Sequence, residues 1–178
     1  MSNQDKFKII KKNFSPSFFN SIPNCKIATW NVRTASDTIK MKAILNEAIL
    51  NNINILCLQE TRSATSGPSA KDHFKDLGDE YHWVQSNYKN TGRGVAIGIR
   101  KILLQLSTLK IIAYDDPKSQ ERGRVLFIEF DDPRGNHWVV GNIYMPANNP
   151  KTRIEFMKTL PWSLFKHATF IGMDSNLV

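Results

Sequence analysis

The first third of the chain alternates apolar and polar residues in a strand, helix, strand pattern. The run KIATW (residues 26–30) predicts a strand, and Asp37 is the expected N-cap of a helix. Beyond that cap, one helical face is apolar: Met41, Ile44, Leu45, Ala48 and Ile49. The nearly all-apolar NINILCLQ (residues 52–59) then predicts a strand covered on both faces. Together these elements predict a βαβ unit.

The middle of the chain has a different pattern, with strand-like runs and few helical stretches between them. These runs are YHWVQS, GVAIGIR, LKIIAY, RVLFIEF and HWVVGNIY. The turn sequence DDPRGN joins the last two, which predicts an antiparallel hairpin. A helix over Asn149 to Leu160, with Pro150 in its first turn, and a final strand in HATFIG follow. The fold class is therefore α/β (α+β), with a mainly antiparallel middle.

The length of 178 residues suits one domain with a substantial core. We predict a basic, flexible leader at residues 1–24, with a turn at Ser15–Pro16, and a domain at residues 25–178. Residues 62–70 are expected to be a loop and residues 71–77 a short helix. No apolar stretch is long enough to span a membrane or to act as a secretory signal. We therefore expect an intracellular protein, nuclear or cytoplasmic.

Charge and cysteine content narrow the class of partner. The net charge of +8 favours an acidic partner, with nucleic acid first and an anionic membrane surface second. Cys25 and Cys57 form no CxxC motif and no zinc-like cluster, so neither a disulfide framework nor a zinc site is expected.

Polar residues follow four of the apolar strands. Asn31 ends KIATW, Glu60 follows INILCLQ, and Tyr144 ends VVGNIY, while Asp174 and Asn176 follow TFIG. Taken singly, each is more often a turn, cap, solvated charge or packing residue than a functional one. Residues just past strand ends gather along one edge of a sheet, where binding sites are often built. Their common position predicts one polar cluster.

The residue types in that cluster suit a metal ion beside a phosphodiester. A carboxylate such as Glu60, with amide oxygens, suits Mg²⁺, and a metal beside a phosphodiester stabilises developing charge. Asp174 could orient or deprotonate an attacking water. Asn31, Tyr144 and Asn176 could hold phosphate oxygens by hydrogen bonds.

Five motifs in this order resemble the endonuclease/exonuclease/phosphatase superfamily: TWNVR, LCLQET, GRGVAIGIR, IYMPANN and the terminal Asp-Ser-Asn. The QET sequence is most similar to abasic-site endonucleases and to the endonuclease domains of LINE-type retrotransposons. The resemblance covers about residues 26–176.

This resemblance implies a four-layer α/β sandwich that cuts phosphodiester bonds in DNA with Mg²⁺ or Mn²⁺. Asn31 and Glu60 match metal-site positions, and Tyr144 matches a phosphate-contacting tyrosine. Asp174 and Asn176 match the pair that positions the nucleophile and the phosphate. The candidate nucleic-acid contacts are Arg62 and Arg93.

The sequence departs from the family at two places. Met173 stands where the family usually has glycine, and it would strain the turn if that glycine has a backbone role. Family members also continue to a Ser-Asp-His motif, which these 178 residues do not contain. We therefore expect a sandwich that is incomplete at its C-terminus, with an apolar face open to a partner or to self-association.

Three hypotheses remain at this stage. The first is a metal-dependent DNA endonuclease derived from a retrotransposon, either active by itself or dependent on a partner for the missing segment. The second is a truncated, non-catalytic fragment that at most binds nucleic acid through lysine and arginine. The third, a phosphatase on a small phosphoester, is disfavoured by the basic charge and by QET.

Overall fold

The protein is described by a computed structural model over residues 8–9, 25–35, 37–62, 74, 78–87, 93–114, 123–147 and 149–176. Sheet A runs in the order β1 (Lys8–Ile9), β2 (Lys26–Asn31), β3 (Ile53–Gln59), β5 (Val95–Arg100), β4 (Tyr81–Ser86). Sheet B runs in the order β6 (Lys110–Tyr114), β7 (Val125–Asp131), β8 (His137–Tyr144), β9 (Phe170–Asp174). Within these ranges, the helices are α1 (Thr38–Leu50), α2 (Pro150–Thr159) and α3 (Trp162–Phe165), and two short 3₁₀ helices span Lys101–Leu103 and Leu106–Thr108.

The βαβ unit forms as the sequence predicts. The Asp37 side chain caps α1 by accepting a hydrogen bond from the Lys40 amide at 3.0 Å. Four of the five predicted apolar residues of α1 are buried: Met41, Ile44, Leu45 and Ala48. Strands β2 and β3 pair in parallel, so their carboxyl ends lie side by side.

The two sheets pack face to face, with helices on the outer faces. The inner core contains buried residues of both sheets, such as Ile55 and Ile97 from sheet A and Ile128 and Val140 from sheet B. Helix α1 covers the outer face of sheet A, and α2 and α3 cover that of sheet B. These layers confirm the predicted four-layer α/β sandwich.

The antiparallel middle is divided between the two sheets. Strands β4 and β5 pair with each other in sheet A, while β6, β7 and β8 form antiparallel neighbours in sheet B. The predicted β7–β8 hairpin is present. The predicted helix near residue 150 is also present, with the Asn149 side chain as its cap and Pro150 in its first turn.

Part of the predicted leader belongs to sheet A, because Lys8–Ile9 pairs antiparallel with β2 at Ala28 and Thr29. The rest of residues 1–24, the loop at 63–70 and the short helix at 71–77, except Phe74, lie outside the described residues. The domain boundary at residue 25 stays a prediction. Within the described ranges, no helix is long and apolar enough to cross a membrane.

Candidate active site

The two parallel strand pairs bring the predicted polar residues to one end of the sandwich. In sheet A, Asn31 at the end of β2 pairs with Gln59 at the end of β3, just before Glu60. In sheet B, Tyr144 at the end of β8 pairs with Asp174 at the end of β9. Since the inner faces of the sheets pack together, these four strand ends meet across the sandwich.

Asn31 links the two carboxylates of this cluster. Its amide Nδ2 donates to Glu60 Oε1 at 2.7 Å and to Asp174 Oδ2 at 2.6 Å. Its Oδ1 accepts from the Arg33 amide at 2.9 Å, a short local turn that fixes the side chain. One neutral amide thus holds two acidic groups from opposite sheets within its reach.

Glu60 also receives hydrogen bonds from Tyr144 and Arg62. The Tyr144 hydroxyl donates to Oε1 at 3.1 Å, and an Arg62 guanidinium nitrogen donates to Oε2 at 2.7 Å. Burial alone would raise the pKa of Glu60, but the donors Asn31, Arg62 and Tyr144 hold it below its ordinary value of 4.5. Glu60 is therefore ionised at neutral pH.

Backbone strain is concentrated around this cluster. Left-handed φ angles, which non-glycine residues seldom adopt, occur at Glu60 (54°), Arg62 (49°), Asn176 (47°) and Arg33 (56°). Such conformations cost free energy and gather at functional sites, where surrounding contacts impose them.

Hydrogen bonds from neighbouring segments hold the loop that carries Glu60. The Thr61 amide donates to the Gly94 carbonyl at 3.1 Å, and the Arg62 amide donates to the Arg93 carbonyl at 3.0 Å. The Thr61 hydroxyl bonds Asn87 Oδ1 at 3.1 Å. A Cβ on Gly94 would overlap that hydroxyl, so glycine is required for this close approach.

Tyr144 is supported by Arg124, which the sequence analysis did not identify. The Arg124 guanidinium lies 4.9 Å from the centre of the Tyr144 ring and is 7% exposed. Burial and the Glu60 carboxylate raise the pKa of the Tyr144 phenol, opposed by Arg124 and by a hydrogen bond with Asn176. The phenol therefore keeps its proton at neutral pH and can act as a donor.

Asp174 and Asn176 form a compact turn after β9. The Asn176 amide donates to Asp174 Oδ1 at 3.1 Å, and Asn176 Nδ2 donates to the Met145 carbonyl at 2.6 Å. An Arg153 guanidinium nitrogen donates to the Asn176 carbonyl at 2.8 Å. The turn is thus tied to α2 and to the segment after β8.

The strain expected at Met173 is absent. Met173 lies in β9 opposite Ile143, is 40% exposed and does not have a left-handed backbone. The glycine requirement falls one residue earlier, because a Cβ on Gly172 would stand only 2.7 Å from the Cβ of Cys57 in the other sheet.

The candidate nucleic-acid contacts have other partners in this structure. Arg62 is bound to Glu60 while 46% of its side chain stays exposed. Arg93 is half-buried, and its carbonyl supports the Glu60 loop. Both residues lie beside the cluster, and their contact with nucleic acid stays a prediction.

The described histidines lie at the opposite end of the strands. His137 begins β8, seven residues before Tyr144, or roughly 23 Å along a strand. His82 pairs with Ile99 near the far end of β5, and His167 precedes β9. None of these three supplies the histidine that the family resemblance implies.

The donor set of the cluster suits a hard divalent cation. Glu60 and Asp174 offer carboxylate oxygens, the ligands that Mg²⁺ and Mn²⁺ prefer, and both lie within hydrogen-bond distance of Asn31 Nδ2. The oxygen of the same Asn31 amide accepts from the Arg33 amide. No group of three or more His, Cys, Asp or Glu side chains comes together in the described ranges. This does not conflict with a magnesium site, because Mg²⁺ commonly binds through one or two carboxylates and keeps several waters.

Comparison with known proteins agrees with the sequence motifs and the fold. A model of the Endonuclease/Exonuclease/phosphatase family matches residues 28–160, about three quarters of the chain. No curated protein matches the chain.

Three solved structures illustrate the similarity. TDP2 of D. rerio, complexed with a single strand DNA product, has a TM-score of 0.57 and 16% identity over 85% of this chain and 60% of its own. An AP endonuclease from Leishmania major has a TM-score of 0.57 and 20% identity, over 84% of this chain and 49% of its own. An AP endonuclease from Archaeoglobus fulgidus has a TM-score of 0.54 and 24% identity, over 80% of this chain and 52% of its own. The shared feature is the fold, and the chain spans only half to three fifths of these proteins.

Proposed function

Because the chain belongs to the endonuclease/exonuclease/phosphatase family, we propose that its site hydrolyses phosphodiester bonds in DNA with Mg²⁺ or Mn²⁺. The observation that carries this proposal is the hydrogen-bonded cluster at the end of the sandwich. Asn31 joins Glu60 to Asp174, and Tyr144 reaches the same Glu60 oxygen as Asn31.

In this proposal Glu60 and Asn31, with Asp174 beside them, hold the cation. When bound, it would neutralise charge that develops on the phosphate and on the leaving oxygen. For Asn31 to bind the cation, its amide would release the Arg33 amide and rotate, so that its oxygen replaces its nitrogen beside the two carboxylates. Asn31, Glu60 and Asp174 would then all present oxygen.

The other residues have roles that follow from their protonation and position. Asp174 orients a water molecule and accepts its proton as the water oxygen attacks phosphorus and the bond to the leaving oxygen breaks. Tyr144, which keeps its proton, donates a hydrogen bond to a phosphate oxygen. The Asn176 side chain hydrogen-bonds with the Tyr144 phenol and helps to hold the phosphate.

DNA is the favoured substrate on charge. The net charge of +8 supports binding to a polyanion, and Arg62 and Arg93 lie next to the cluster. TDP2 of D. rerio was solved with single strand DNA product, which supports a nucleic-acid substrate for this fold. Descent from a LINE-type retrotransposon and an intracellular location, nuclear or cytoplasmic, are part of the same proposal and rest on the sequence motifs.

A plasmid-nicking assay with Mg²⁺ tests this function. We expect nicking by the wild type that is abolished by EDTA and lost in both Glu60→Ala and Asp174→Ala. Absence of nicking by folded wild-type protein, or its persistence in both variants, would contradict the proposal.

A second function has its own supporting observation. The three described histidines lie far from the cluster, so the histidine that the family resemblance implies would come from elsewhere in the chain, from a partner or from a second copy. Without it, the protein would bind nucleic acid but not cut it. Salt-sensitive DNA binding without cleavage, unaffected by Glu60→Ala, would favour this alternative.

A further inference from the structure

Two amide side chains are buried between the sheets, directly behind the candidate active site. Gln59 of sheet A is 1% exposed and Asn142 of sheet B is 0% exposed. Gln59 Nε2 donates to Asn142 Oδ1 at 2.6 Å and to the Thr29 hydroxyl at 2.8 Å. These bonds connect β2, β3 and β8.

Asn142 extends the connection to a fourth strand. Its Nδ2 donates to the Leu58 carbonyl of β3 at 2.8 Å and to the Ala96 carbonyl of β5 at 2.9 Å. All four N–H groups of the two amides therefore have acceptors. We call Gln59 and Asn142, with these bonds, the amide clamp.

The amide clamp specifies geometry more strictly than apolar packing does. Apolar side chains in a core tolerate small shifts, whereas a buried amide that loses its partners pays a desolvation cost. Sliding one sheet over the other would break several of these bonds together. The two sheets are thereby fixed in one relative position at this end of the sandwich.

Both residues of the amide clamp lie close in the chain to residues of the candidate active site. Gln59 directly precedes Glu60, and Asn142 lies two residues before Tyr144 on the same face of β8. The hydrogen bond between Tyr144 and Glu60 is itself a contact between the two sheets. We propose that Gln59 and Asn142 are positioning residues, which hold the sheets so that Tyr144 meets Glu60.

The competing explanation is that the amide clamp serves only stability. A set of substitutions separates the two. Asn142→Leu removes one amide, and the double variant Gln59→Met, Asn142→Leu replaces both with apolar groups of similar size, which is expected to recover part of the lost stability. Val140→Ala is the matched control, because Val140 is fully buried on the same strand and takes no part in the amide clamp.

The readout is the ¹³C NMR signal of the Tyr144 ring carbon that bears the hydroxyl, in protein labelled at that carbon of tyrosine. Tyr144→Phe assigns the signal, and Glu60→Gln gives its position when the carboxylate acceptor is lost. Thermal unfolding is measured on every variant. The NMR measurement does not depend on catalysis, whereas a kinetic measurement of DNA nicking rests on the proposed function.

We expect Asn142→Leu to move the Tyr144 signal toward its position in Glu60→Gln, and the double variant to keep that displacement although its stability recovers. Val140→Ala should lose stability and leave the signal in place. If nicking occurs, Asn142→Leu should lower kcat about tenfold with a smaller effect on KM. The inference is overturned if the Tyr144 signal stays in place in Asn142→Leu, or returns together with stability in the double variant.

A milder variant covers the case in which Asn142→Leu fails to fold. Gln59→Met removes the two bonds that Gln59 donates, to Asn142 and Thr29, and leaves the bonds of Asn142 to Leu58 and Ala96. It should displace the Tyr144 signal in the same direction by a smaller amount, and an unmoved signal would equally overturn the inference. If the wild type does not nick DNA, the proposed function fails, but the NMR comparison still decides the role of the amide clamp.

Discussion

The two ends of the sandwich both carry a carboxylate rich in hydrogen bonds, but the partners differ. At the far end, Asp132 is fully buried in the β7–β8 turn. It accepts from the amides of Arg134 and Asn136 at 2.9 and 3.0 Å, and from the side chains of Asn136 and Trp138 at 2.8 and 3.3 Å. Each donor lies within six residues of Asp132 in the chain.

At the site end, Arg62 and the Asn176 amide are local donors, but Asn31 and Tyr144 come from distant parts of the chain. Asn31 reaches Glu60 across 29 residues and Asp174 across 143, and Tyr144 reaches Glu60 across 84. A local set of donors completes a turn, and the fold gains stability from it. The site end instead brings two carboxylates together, with left-handed backbone at Glu60 and at Asn176 beside Asp174, which costs stability and suits a ligand.

The largest expected effect separates the two ends by activity. Glu60→Gln should reduce Mg²⁺-dependent nicking at least 100-fold, equivalent to about 2.7 kcal/mol of transition-state stabilisation. Asp132→Asn, an equivalent exchange of carboxylate for amide, should leave the rate of nicking by folded protein unchanged. Initial rates on supercoiled plasmid measure both, and equal losses in the two variants would remove the distinction between the ends.

The loss of folding stability should be larger for Asp132→Asn than for Glu60→Gln, the reverse of their effects on nicking. Asp132→Asn should lower the free energy of unfolding by about 2 kcal/mol, because a buried carboxylate that accepts four hydrogen bonds is replaced by a group that is partly a donor. Glu60→Gln should cost less, since it also relieves the proximity of two negative charges. Urea unfolding at neutral pH checks this, and a larger loss for Glu60→Gln would contradict it.

Two glycines, one at each end of the sandwich, extend the comparison between the two ends. Gly94 at the site (φ 131°) and Gly135 in the far turn (φ 82°) both have backbones that favour glycine. A Cβ on Gly94 would overlap Thr61 and stand 2.9 Å from Asn87 Oδ1, while a Cβ on Gly135 would meet nothing within 4 Å. Gly94→Ala should therefore destabilise the protein by about 1–2 kcal/mol more than Gly135→Ala, measured by thermal unfolding.

The activity of these two variants gives the control. Gly94→Ala should also reduce nicking, because it displaces the loop that carries Glu60, whereas Gly135→Ala should not. Equal stability and equal activity of the two variants would show that the Glu60 loop is not held by this close approach.

The smallest expected effect is a dependence on pH. Burial alone would raise the pKa of Asp132, but its hydrogen-bond donors hold it below its ordinary value of 3.8. The stability that this carboxylate contributes is therefore fully present above pH 3.8 and is lost as the pH falls through the lower folded value. The stability difference between wild type and Asp132→Asn should narrow on acidification to about pH 2, and a difference that stays constant would refute this assignment.

The sequence predicted the strand and helix elements well because local patterns determine them. Asp37 before an apolar helical face and DDPRGN between two apolar runs are short-range signals, and both elements form. The division of the antiparallel strands between two sheets depends on long-range pairing, which hydrophobic pattern does not reveal.

The site was predicted in part for the same reason. Asn31, Glu60, Tyr144 and Asp174 stand after apolar runs, so their position in the sequence suggested one edge. Arg124, Gln59 and Asn142 were missed. The partners of a buried arginine or amide lie on other strands, so they become known only when the packing of the sheets is known. Polar letters inside otherwise apolar strands, such as Asn142 in VVGNIY, were the available signal.

A Mg²⁺ titration followed by NMR of the Asn31 side-chain amide tests most directly whether Asn31, Glu60 and Asp174 form a cation site. We predict a saturable shift of that signal in the wild type and in Asp132→Asn, and no shift in Glu60→Gln. An Asn31 signal that does not respond to Mg²⁺ in folded wild-type protein, or that responds equally in Glu60→Gln, would contradict a cation site there.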